Sequence, residues 1–233
     1  MTARLPEPET PRQPIAVVEA AIIGSLTVAM MATFLFAWIA DSVVDQHSRN
    51  FDIVVRTAIH HYASPAMTRV MFAITFMGNP GLALVAILAV GIFLYVRWYR
   101  ATTWLLITLA GATILDLSLK LAFHRARPTP YFGALPRTYS FPSGHALYSL
   151  CFYGVLAGLL VHRTRSLVLR IVIWTVAALL VLAIGISRIC LGVHYPTDVL
   201  GGYLTATIWV ATMITVDRLR LKRKGGKSVV SSQ

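Results

Sequence analysis

Residues 167–216 read LVLRIVIWTVAALLVLAIGISRICLGVHYPTDVLGGYLTATIWVATMITV, and this stretch decides the fold. Two long apolar runs, Leu167–Ile186 and Val199–Val216, flank a polar island from Ser187 to Asp198. Each run is close to the 20 or so residues that cross a bilayer as a helix. The island crowds a hydroxyl, a guanidinium, an imidazole and a carboxylate beside those runs, where each group must be hydrated, paired or in contact with a charged ligand. Such residues at a membrane mark a functional site by default.

Composition agrees with a bilayer setting. The chain has 233 residues, of which 57% are hydrophobic and 13% charged, against roughly 25% charged in a soluble domain. Cys151 and Cys190 both stand in apolar surroundings and read as buried free thiols, and no Cys/His ligand spacing suggests a metal.

Working outward, residues 1–14 carry four prolines among charges and read as a flexible tail. Ile15–Ala40 is a first span, too long for the apolar core of a signal peptide. Residues 41–65 are mixed; a helical period gathers Phe51, Val54, Val55, Ala58, Ile59 and Tyr62 on one face, which predicts an amphipathic helix along the membrane surface. His60-His61 reads as an interfacial pair, because adjacent helical positions diverge. Gly78-Asn79-Pro80-Gly81 is a strong break. The second span is expected at Leu82–Val96, with Ala66–Met77 too short to cross, and the third at Thr102–Leu119. Spans four to six are His145–Val161, Leu167–Ile186 and Val199–Val216. The expected fold is all-α, a six-helix membrane bundle at 15–216, with a basic tail from Asp217.

Charge orients the bundle. Lys and Arg number 21 against nine Asp and Glu, a net +12. With six spans, both tails and the loops near 97–100 and 162–170 share one side, which collects 13 of the 21 cations and is expected to be cytoplasmic. On the opposite side, Lys120, Arg125, Arg127, Arg137 and Arg188 lie in or beside polar islands. The surplus charge is therefore topology plus one site, and a nucleic-acid partner is excluded because no basic stripe with interleaved aromatics is present.

The loop between spans three and four carries two further islands, Lys120–Pro128 and Pro142-Ser143-Gly144-His145. All three islands then share one face. Lys120 and Arg127 are seven apart, so a helix continued to Pro128 sets both cations on one side. Ser143 reads as an N-cap before an apolar helix whose free N–H groups suit a phosphate. Pro196 suits the first position of a helix, which holds His194 just outside and Asp198 in the first turn. A carboxylate on one ring nitrogen then leaves the other free to attack.

Together, Lys120-x6-Arg127-Pro128, Pro142-Ser143-Gly144-His145 and Ser187-Arg188-x5-His194-x3-Asp198 resemble the three signature motifs of the type 2 phosphatidic acid phosphatase (PAP2) superfamily, in order and complete. The resemblance implies a six-span membrane phosphatase with its site at the outer face, opposite the side on which charge places both termini. It implies His194 as the nucleophile, Asp198 as its partner and His145 as the acid and later the base. Lys120, Arg127, Ser143, Gly144 and Arg188 are implied to hold the phosphoryl oxygens, with no metal or other cofactor. The implied partners are membrane lipids and a lipid phosphate of the undecaprenyl diphosphate, phosphatidylglycerol phosphate, phosphatidic acid or lipid A class. Phosphoryl transfer to another lipid or sugar uses the same intermediate. Soluble vanadate haloperoxidases share the pocket residues, and a polyprenyl-phosphate transporter or an idle scaffold is the reading from another class. Arg125 and His124 fall at variable motif positions, assigned to the pocket rim or to headgroups. Arg137, Tyr131 and Phe132 stand in the connecting loop, as substrate contacts or as solvated residues.

Overall fold

A computed structural model describes residues 15–134 and 136–230, and the expected N-terminal tail lies outside them. Among the described residues the chain is helical, without strands. The first helix, α1 (Ile15–Val44), leads through a turn to α2 (Arg49–His61). Then come α3 (Pro65–Phe76), α4 (Pro80–Tyr95) and α5 (Tyr99–Phe123). A loop reaches α6 (Gly144–Ser149), which runs through a π turn (Leu150–Gly154) into α7 (Val155–Arg163). α8 (Leu167–Cys190) and α9 (Pro196–Val230) complete the order. Six segments are long and apolar enough to cross a membrane: Ala16–Val44, Pro65–Tyr95, Tyr99–Phe123, Gly144–Arg163, Leu167–Cys190 and Pro196–Arg223. Leu84, Ile87, Leu88, Ile114, Val168 and Val176 point outward, as lipid-facing side chains do.

The second span differs from the sequence expectation. α4 alone has 16 residues, about 24 Å of helix against a hydrocarbon core of about 30 Å. The spanning segment therefore takes in α3 as well, and it is broken at 77–79 rather than beginning after the break. Ser64 caps α3 by accepting from Met67 N–H, Pro65 and Pro80 each stand at a helix start, and Tyr153 Oη donates to Met77 O at 2.8 Å. Backbone freed from a helix at membrane depth survives where protein groups satisfy it in this way.

α2 is amphipathic, as expected, and its apolar side chains face outward. Phe51, Ile53, Val54 and Tyr62 are exposed, while Asp52 on the other side is completely buried. In a soluble protein the apolar face would turn inward; here it is left for lipid.

The last helix runs on beyond the expected end of its span. Asp217 accepts two bonds from Arg100 Nη2, at 2.8 and 2.7 Å, and Lys222 pairs with Glu19 on α1 at 2.7 Å. These ties carry the first basic residues of the expected tail as a helical extension of α9. Between the helices, Leu105, Phe152 and Ile184 centre the main core, between α5, the π turn and α8.

Candidate active site

The three islands meet. Ser143 N–H donates to Asp198 O at 2.9 Å, and Arg127 Nη1 donates to Val193 O at 2.9 Å. Tyr131 and Phe132 N–H groups donate to Leu191 O. Gly192, at φ +76°, makes this docking possible, because a Cβ there would lie 2.6 Å from Tyr131 N.

His194 stands two residues before Pro196 opens α9, and Asp198 sits in the first turn. Both are buried. His194 Nδ1 lies 3.3 Å from Asp198 Oδ2, and Arg127 Nη1 donates to His194 Nε2 at 2.9 Å. An arginine can only donate, so Nε2 carries the lone pair and Nδ1 the proton. Burial pushes the imidazole down to about 4; Asp198 opposes the shift, while Arg127 and Arg188 add to it. His194 is therefore neutral near pH 7, with its free lone pair toward the cations.

Asp198 is held from several sides. Its Oδ2 also accepts from Tyr195 N–H at 2.8 Å and from Ser140 Oγ–H, and its Oδ1 accepts from Arg125 Nη1 at 2.6 Å. Tyr195 N–H to Asp198 is an i to i+3 bond that also satisfies backbone at the start of α9.

The remaining sequence candidates gather around His194. Arg188, buried near the end of α8, donates from Nη1 to Thr75 Oγ1 at 2.6 Å, and its Nε has no partner. Ser143 is at the N-cap of α6, but its side chain makes no cap bond and its buried Oγ is unpartnered. The expected capping bond is thus not made, and the hydroxyl is left to something else. A Cβ on Gly144 would meet Asp116 Oδ1 at 2.9 Å and Lys120 Nζ at 3.2 Å. Lys120 thus stands against the first residue of α6, and it pairs with Asp116 at 2.8 Å. His145 lies within Coulombic range of Arg188, His194, Lys120 and Arg127.

The helical link between Lys120 and Arg127 is not observed. α5 ends at Phe123 and His124 takes a left-handed conformation. Arg127 reaches the site from a loop, where Nε donates to Thr138 O at 2.6 Å and Nη2 to Thr138 Oγ1 at 2.9 Å. Burial lowers the Arg127 pKa, with Asp198 and Asp116 working against that.

Arg125 is also not at the rim. Its guanidinium bridges Asp198 and Asp52, at 2.6 and 2.7 Å. Burial disfavours its charge, but the two carboxylates outweigh that and raise its pKa. Sequence reasoning also passed over Asp52, Asp116, Thr75, Ser140 and Thr197. Asp116 had a signal: an acid inside an apolar span, four residues before a lysine, is the spacing of a helical ion pair. Among the described residues no three His, Cys, Asp or Glu side chains cluster to hold a metal ion.

What this geometry offers is a neutral, oriented imidazole surrounded by guanidinium, ammonium, hydroxyl and helix-start N–H groups, a setting for a tetrahedral oxyanion. Comparison with known proteins agrees. The profile of the PAP2 superfamily matches residues 101–221. Phosphatidylglycerophosphatase B of Bacillus subtilis (strain 168) is 31% identical over 179 residues, spanning 74% of this chain and 87% of that protein. A lipid A 1-phosphatase of Rhizobium etli is 34% identical over 120 residues, 47% of this chain and 46% of its own. Among solved structures, a transmembrane PAP2-type phosphatidylglycerolphosphate phosphatase from Bacillus subtilis superposes with a TM-score of 0.73 at 27% identity, over 84% of this chain and 98% of that one. Aquifex aeolicus LpxE shares the fold, with a TM-score of 0.54 at 22% identity over 72% and 95% of the two chains. The chain belongs to the PAP2 superfamily, as a multi-pass integral membrane protein.

Proposed function

We propose that the chain is a membrane lipid phosphatase that hydrolyses a phosphomonoester through a phosphohistidine on His194. The observation that carries this reading is the imidazole itself, with Nδ1 on Asp198 and Nε2 free of a proton beside Arg127. The Nε2 lone pair attacks phosphorus, and the bond from phosphorus to the lipid oxygen breaks. His145, in its protonated form, gives its proton to the departing oxygen. Asp198 balances the charge that the ring acquires. Water then attacks the phosphohistidine, His145 takes back a proton, and inorganic phosphate and His194 are released.

Lys120, Arg127 and Arg188 face the charge that develops on the phosphoryl oxygens, with the Ser143 hydroxyl and Gly144 N–H as further donors. The unpartnered Ser143 Oγ and Arg188 Nε support that assignment. These fixed donors take the part that a divalent ion takes in other phosphoryl transfers. Full activity is expected in excess EDTA, and a loss reversed by magnesium would contradict the assignment.

Similarity to phosphatidylglycerophosphatase B over most of the chain favours phosphatidylglycerol phosphate as substrate. The shorter match to a lipid A 1-phosphatase favours a lipid A phosphate as the second. The excess of Lys and Arg around both tails and the 97–100 and 162–170 loops supports cytoplasmic termini and an active site on the outer face. The test is phosphate release by purified protein in detergent, on these two lipids and on phosphatidic acid, beside His194→Ala. A fall of at least a thousandfold is expected in that variant; a tenth of the wild-type rate from folded His194→Ala would remove His194 as nucleophile.

A further inference from the structure

Asp52, Arg125 and Thr197 have no part in the reaction just described, yet Asp52 and Thr197 are buried and Arg125 is largely enclosed. Asp52 has 0% exposure and the Arg125 side chain 12%. The guanidinium divides between two carboxylates: Nη1 donates to Asp198 Oδ1 at 2.6 Å and Nη2 to Asp52 Oδ2 at 2.7 Å. Its flat face covers the Tyr195 ring, 4.3 Å from the centroid. Asp52 then reaches the start of α9, accepting from Thr197 N–H at 3.0 Å and Thr197 Oγ–H at 2.7 Å.

This arrangement leaves Asp198 no rotational freedom. His194, Tyr195 N–H and Ser140 claim one oxygen, and Arg125 claims the other. Arg125 is itself fixed by Asp52. Charges alternate along the row: negative at Asp52, positive at Arg125, negative at Asp198, then the imidazole. In a buried setting such charges act on one another with little screening.

We propose that Asp52 and Arg125 are positioning residues for the reaction, Arg125 setting the rotation and effective charge of Asp198 and Asp52 setting Arg125, so that a helix of the membrane surface orients the nucleophile. The inference rests on the phosphatase reading.

The experiment measures kcat/KM against pH for the full-length protein in detergent, with a short-chain phosphatidic acid as probe. It compares wild type, His194→Ala, Asp52→Asn, Arg125→Gln and Arg125→Lys, with thermal unfolding of each. The acid limb reports His194 losing its proton. The other charged groups facing His194 are Asp198 from α9, Arg127 from the loop, Arg188 from α8 and His145 from α6, and all are common to these variants. Removing the negative charge in Asp52→Asn should move the limb to lower pH; removing the positive charge in Arg125→Gln should move it to higher pH, each by about half a unit or more. Both should lose about tenfold or more in kcat/KM at neutral pH. Arg125→Lys keeps the charge and loses the two-pronged geometry, so its limb should stay while kcat/KM falls about tenfold.

Limbs that move together, or do not move in folded protein, overturn the proposal. If either neutral variant fails to fold, Arg125→Lys decides: wild-type kcat/KM in that variant overturns it. Failure of all three to fold overturns it too, assigning the cluster to stability alone. Wild-type activity in folded His194→Ala would instead remove His194 as nucleophile, the part of the phosphatase reading on which the inference rests.

Discussion

In the proposed reaction, burial is what keeps the His194 lone pair available. An exposed histidine would be half protonated near pH 6.5, but burial pushes this one down to about 4. The lone pair is therefore free throughout the neutral range, and the acid limb of kcat/KM should fall near pH 4 rather than near 6.5. The same shift enters stability. The unfolded chain takes a proton on this ring that the folded chain refuses, so the contribution is present above about 6.5 and is lost as pH falls from there through about 4. Thermal unfolding between pH 4 and 7 checks the sign: the midpoint should drop toward acid, and less so in His194→Ala. A second prediction concerns Lys120, tethered by Asp116 at 2.8 Å. Asp116→Asn frees the ammonium, and KM should rise several-fold with a smaller change in kcat. At this scale the motif residues were legible because their chemistry is unusual beside apolar runs. Asp52 was not, since an acid on the polar side of an amphipathic helix looks the same in sequence whether water or Arg125 meets it.

Among the elements, the interrupted second span has the closest bearing on the site. Gly78 lies in the break, where a Cβ would come within 2.7 Å of Ile184 Cγ2 and 2.8 Å of His145 Cδ2. Gly78→Ala should displace the imidazole of His145 and lower kcat by about tenfold or more, read as phosphate release by folded protein. Facing the break is the π turn at Leu150–Gly154, which carries Tyr153. π turns are rare and frequently stand at functional sites. Tyr153→Phe removes its bond to Met77 O and should cost about 1 kcal/mol of stability. The break itself was plain in Gly78-Asn79-Pro80-Gly81, but the sequence could not assign the short run before it, because membership of a span depends on what packs against it. The end of α5 was misread for a related reason. No glycine or proline stands at Phe123-His124, yet Ser140 N–H bonds Arg125 O at 2.8 Å and Arg127 bonds Thr138 and Val193, and these tertiary bonds replace the helical ones.

For the molecule as a whole, hydropathy and charge carried most of the architecture. Apolar runs of bilayer length have one stable form, and all six were visible. Orientation is open to a direct check. Cys151 and Cys190 are buried, so a single cysteine introduced at Ala134 or at Arg165 gives a clean signal. An impermeant maleimide added to intact cells should label Ala134→Cys and not Arg165→Cys; the reverse would turn the bundle over. What the sequence did not convey was how α1 and α9 come together. α1 packs against α9 more extensively than any other two helices do, and Ser25 and Thr215 share a hydrogen bond of 2.7 Å. Asp52 and Thr197, 145 residues apart, join in the same way beside the site. The two members of each pair leave the ribosome far apart in time. Helix α1 must wait in the bilayer for α9, and until α9 forms, the His194 imidazole has no carboxylate beside it.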